Sequence, residues 1–88
     1  MKKNIKLIEE SNLFDHKWYL SQNPDVENLG LNPLQHYLIY GWREGRSPSP
    51  KFNNNYYLKR YPDVVDSDTN PLIHYIKFGI NDNNLLFE

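Results

Sequence analysis

The chain has 88 residues, no cysteine and a formal charge of −1, with ten Lys and Arg against eleven Asp and Glu. Such a balance gives no strong field towards nucleic acid or anionic lipid, and the lack of cysteine removes disulfides, thiolate catalysis and cysteine-ligated metals. Hydrophobic content is only 39%, but seven Tyr, four Phe and two Trp predict an aromatic core for one small domain, residues 1–88.

Ile5 and Ile8, three apart, predict a short amphipathic helix over residues 3–11. Ser11-Asn12 ends it, since Asn accepts a left-handed C-terminal position. Glu9 and Glu10 stand where the apolar run of a signal peptide would continue, and Lys2, Lys3 and Lys6 are too few for a polybasic anchor. No apolar run reaches the roughly 18 residues of a membrane span. A cytoplasmic, soluble chain without membrane insertion is the expectation.

Asp15 is a natural N-cap, and with it Phe14 and Tyr19 take the N′ and N4 positions of a hydrophobic staple. Phe52, Asn53 and Tyr57 repeat the arrangement. The two helices, over residues 15–22 and 53–60, are short because Pro24 and Pro62 forbid continuation. Pro24-Asp-Val26 and Pro62-Asp-Val64 open one further turn each, ending near Gly30 and Asp68. Asn32-Pro33 and Asn70-Pro71 then cap and start a second helix, with Pro at the position that tolerates its missing amide. Leu34, Tyr37, Leu38 and Gly41 form its apolar stripe, matched by Leu72, Tyr75, Ile76 and Gly79. A glycine on the buried face of both predicts close helix contact. The first of these helices is expected to run to Glu44, with Gly45 and its counterpart Asn83 as left-handed caps.

Every one of these matches has the same offset, 38 residues, without a gap. Twelve of the 37 aligned positions are identical, and a fixed period of this size marks stacked repeats that bury no face alone. The predicted fold is all-α, with two tandem helix-turn-helix repeats, residues 14–50 and 52–88, behind the N-terminal helix, which is expected to cover the exposed end.

Leu7-Ile-Glu-Glu-Ser-Asn-Leu-Phe-Asp15, Trp18-Tyr-Leu-Ser-Gln-Asn-Pro-Asp-Val26, Asn32-Pro-Leu-Gln-His-Tyr-Leu38 and Gly41-Trp-Arg-Glu-Gly-Arg46 together resemble a tandem repeat of bacterial surface-polysaccharide biosynthesis proteins. That repeat is found beside glycosyltransferase domains and domains of the rhamnan-synthesis type. The likeness runs from about Leu7 to Asn84; the second copy departs late, with Asn81-Asp-Asn-Asn84 for Arg43-Glu-Gly-Arg46 and Leu85-Leu-Phe87 for the proline linker. It implies a non-catalytic accessory module that docks a partner protein or an adjacent enzyme domain, and it carries over no catalytic residue.

Other residues invite chemistry, and most have a structural explanation. His36 and His74 recur, but no third metal ligand recurs with them, so each is expected to bond a backbone carbonyl or the Asp of the Pro-Asp-Val turn. Asp25 and Asp63 are expected to serve the free amides of their own turns. Asp66-Ser-Asp68-Thr-Asn70 begins like a calcium loop, but Pro71 and Lys77 stand where Gly and Glu are required. Nothing provides a nucleophile with its base, a phosphate loop or a basic helix face, so no enzyme, no cofactor, no metal and no nucleic-acid partner is expected. Tyr40 and Trp42 flank Gly41 beside Arg43 and Arg46, and these four form the candidate binding patch. A carbohydrate-binding module that stacks sugar rings on exposed Trp and Tyr is the alternative function.

Overall fold

The computed structural model of the chain describes residues 2–79. Among them the chain is mostly helical and forms no strand. Helix α1 (Lys2–Ser11) is followed by α2 (His16–Gln22), α3 (Pro24–Asn28) and α4 (Pro33–His36), and α4 runs on as a π-helical segment, Tyr37–Gly41. After a turn come α5 (Asn54–Arg60), α6 (Pro62–Asp66) and α7 (Pro71–His74), which also continues as a π-helical segment, Tyr75–Gly79.

Local chemistry accounts for the starts and stops. Asp15 accepts from the Trp18 amide at 3.0 Å and Asn53 from the Tyr56 amide at 2.8 Å, while Asn32 and Asn70 cap the Gln35 and Ile73 amides at 3.0 Å each. Four prolines occupy first-turn positions of α3, α4, α6 and α7. Asn12 ends α1 with φ 61°, and α3 and α6 end on Gly30 (φ 68°) and Asp68 (φ 56°). At both of these ends the next amide reaches back over a full turn, Leu31 to Val26 and Thr69 to Val64, which satisfies carbonyls the helix leaves free.

The second helix of each segment departs from expectation. An α-helix to Glu44 was predicted; α4 instead widens after His36, and the Trp42 amide bonds the Tyr37 carbonyl five residues back at 3.1 Å. A wide turn rotates later residues relative to the 3.6-residue pattern. Tyr37, Gly41 and Trp42 face inwards, while Ile39 and Tyr40 face out. Gly45 then ends the turn at φ 83°, as its C-cap role predicts. Its counterpart Asn83, the surroundings of Gly79 and the whole divergent tail from residue 80 lie outside the described residues.

The core is aromatic. Phe14 meets Tyr19 at a ring-centroid distance of 5.2 Å and Phe52 meets Tyr57 at the same distance, so both staples form. Tyr37 and Tyr75 close the two clusters from the second helices. Between them the 46–50 turn is packed rather than loose: Pro48 is fully buried and its carbonyl accepts from the Asp15 amide at 3.1 Å. Asn54 joins the two segments, accepting from the Tyr37 hydroxyl at 2.7 Å and donating to the Trp42 carbonyl at 3.0 Å.

Helix α1 does not cover the segment it precedes. It packs against α7 and that helix's π-helical continuation, with Ile8 wholly buried. This explains a difference at one aligned position: Ile73 of α7 is buried, whereas Gln35 of α4 is exposed. No helix among the described residues is long and apolar enough to cross a membrane.

Candidate functional site

The two recurring histidines have found partners that the sequence did not suggest. The Tyr19 hydroxyl lies 2.9 Å from His36 Nδ1, and the Tyr57 hydroxyl 2.7 Å from His74 Nδ1. Among the described residues, neither a backbone carbonyl nor the Asp of the Pro-Asp-Val turn bonds either ring. Burial pushes the Tyr19 hydroxyl well above the ordinary tyrosine range. Gly41 is what lets the tyrosine in: a Cβ there would collide with the Tyr19 hydroxyl and press on the His36 ring. Close contact was expected at this glycine, and its partner is a side chain of α2. Among the described residues no three His, Asp or Glu side chains gather as a metal site would need.

The four patch residues do not share one open surface. Trp42 is only 6% exposed and lies under the Arg43 guanidinium, 4.6 Å from its ring centroid, so it offers no face for a sugar. Arg43 grips Asp68 through Nε at 3.3 Å and Nη2 at 3.0 Å, and it donates to the Ile39 carbonyl at 3.0 Å. Arg46 forms a fork on Asp25 at 3.1 and 2.9 Å and also reaches Asn23 and Glu44. Both arginines thus brace the fold. The Arg46 fork, more than the amides of its own turn, holds the Asp25 carboxyl below the usual carboxylate range. Asp68 serves as an ion-pair partner and a left-handed cap, which is how the calcium-like stretch is used.

Of the two rings, Tyr40 stands open, 58% exposed. Its ring leans on His36 at 5.8 Å, and it rims a shallow hollow of about 130 Å³ lined by Leu31, Asn32, Gln35, His36 and Ile39. Leu31 and Ile39 are exposed as well, at 44% and 39%. Three large apolar side chains thus stand side by side at the surface. Sequence reasoning missed Leu31 and Ile39. Leu31 lies just outside a helix, and Ile39 falls off the apolar stripe, beside Leu38; an aliphatic outside the stripe was the available signal.

Phe78, aligned with Tyr40, is equally exposed at 58% and leans on His74 at 5.1 Å. Lys77 stands beside it where Ile39 stands in the first segment, so the second surface is charged. A larger open groove lies at the start of α2, among Phe14, His16, Lys17, Pro50 and Lys51. Its cations, Lys17 and Lys51, are exposed surface side chains.

No protein family, curated protein or solved structure matches the chain.

Proposed function

We propose that the chain is a non-catalytic interaction module of two tandem helical repeats with a period of 38 residues, which docks a partner protein or an adjacent enzyme domain in cytoplasmic, bacterial surface-polysaccharide biosynthesis. One observation carries the reading. Most of the recurring polar side chains are spent on caps, tyrosine–histidine pairs and ion pairs, while three of the exposed apolar residues, Leu31, Ile39 and Tyr40, adjoin one another on a single face. A surface of this kind gains by covering apolar area, which suits a protein partner.

The alternative, a carbohydrate-binding module, draws its support from Tyr40 and Phe78, two exposed rings at aligned positions. It no longer has Trp42 to draw on. Amide shifts recorded during titration with surface-glycan oligosaccharides separate the two readings. Docking predicts no saturable shift at Tyr40 or Phe78, together with a specific protein cross-link from a photoreactive residue placed at position 40 in cells. Saturable oligosaccharide shifts at both rings would replace the docking reading with the glycan one, and turnover of any sugar substrate would end the non-catalytic reading.

A further inference from the structure

The molecule already shows how the outer face of a second helix is covered. On α7 and its continuation the occupant is α1, an amphipathic helix whose Ile8 is wholly buried. Position 73 is buried there, and Lys77, one turn on, lines a cleft with Lys3, Lys6, Leu7 and Glu10 of α1. The aligned stripe on α4 is Gln35 and Ile39, and it lines the open hollow rimmed by Leu31 and Tyr40. Among the described residues, the second of these two aligned faces holds a helix and the first holds none.

From this we infer that the Gln35/Ile39 stripe is a receiving groove for an amphipathic helix of a partner protein, seated as α1 sits on α7. The inference rests on the docking reading and narrows it to one class of partner. Ile39 replaces Lys77, so the groove floor is uncharged, and the partner helix presents aliphatic side chains three or four apart with no charge where it crosses Ile39. The acidic Glu10 that α1 brings beside Lys77 has no counterpart to meet in this groove.

The probe is a peptide with the sequence of residues 2–11, its Lys6 and Glu10 side chains joined as a lactam. The bridge holds a ten-residue peptide helical, which it would not be on its own, and removes both charges. Added to the intact isotope-labelled chain, it is expected to produce saturable amide shifts at Leu31, Gln35, Ile39 and Tyr40. In the chain, Ile39→Asp and Leu31→Asp, both at exposed positions, are each expected to weaken binding at least tenfold while leaving the circular dichroism unchanged; Ile5→Asp and Ile8→Asp in the peptide are expected to abolish it. Silence up to millimolar peptide would overturn the inference, as would shifts centred on Ile73, which would mean displacement of the chain's own α1, or binding indifferent to Ile39→Asp. A silent peptide with the cross-link at position 40 intact removes the helical partner but leaves docking standing. Saturable oligosaccharide binding at Tyr40 removes both.

Discussion

Residues 14–41 and 52–79 make nearly the same internal contacts and quite different external ones. Phe14–Tyr37 and Phe52–Tyr75 ring distances are 5.7 and 5.6 Å, and Tyr19–Tyr37 and Tyr57–Tyr75 are 6.0 and 5.9 Å. The residues that differ are those that look outwards from each segment. His16 is exposed where Asn54 is buried at the junction, and Gln35 is open where Ile73 lies in the core. Asn23 ties the Tyr19 carbonyl to Arg46, where Tyr61 instead stacks on Tyr57 at 4.8 Å. Shared letters therefore build the unit, and differing letters record what each unit touches.

The largest test of that comparison is Gly41→Leu. Because even a Cβ meets the Tyr19 hydroxyl, the substitution is expected to cost at least the upper end of the usual overpacking range, about 3 kcal/mol, and to lower the melting temperature by more than ten degrees. An unchanged melting temperature would show that Tyr19 is not seated there. Next comes the junction. Asn54→Ala leaves the buried Tyr37 hydroxyl without its acceptor and takes one of two donors from the Trp42 carbonyl, which keeps the Gly45 amide, an expected loss of about 1 to 3 kcal/mol, whereas His16→Ala at the aligned surface position is expected to stay within about 0.5 kcal/mol. Equal losses in chemical denaturation would erase the distinction between the segments.

Tyr19→Phe and Tyr57→Phe probe what the segments share. Each deletes one hydroxyl bond to a histidine and is expected to cost about 1 kcal/mol, nearly equally. A large inequality would mean that the two pairs do different work. The smallest effect belongs to Asp25 and Arg46, a pair in which the carboxylate side is exposed. The Asp25 carboxyl is depressed in the folded chain, so its stabilising contribution is present above the unfolded carboxylate range, near about pH 4, and is lost as pH falls through the lower folded value. Melting curves of the wild type and Asp25→Asn are expected to differ slightly at neutral pH and to converge in acid, with added salt shrinking the gap.

Caps and prolines made most of the helix map readable before any coordinates. Asp15, Asn32, Asn53 and Asn70 act on amides three residues away, and Pro24, Pro33, Pro62 and Pro71 act on their own backbone, so neither needs a distant partner to reveal its role. The candidate patch was less readable. Tyr40, Trp42, Arg43 and Arg46 are neighbours along the chain around Gly41, but Trp42 is inside and the two arginines are held by Asp68 and Asp25, and those partners lie far away in sequence.

By itself the sequence determined where helices begin and end, that the core is aromatic, and that one pattern of letters occurs twice at a spacing of 38 residues. Those properties follow from interactions over a few residues and from composition. Only the tertiary structure decided that His36 and His74 bond buried tyrosines, that Trp42 is inside while Tyr40 is outside, and that α1 lies on α7 and leaves the face of α4 open. Each of these depends on which surfaces meet after the chain has turned back on itself, and short-range preferences do not specify that.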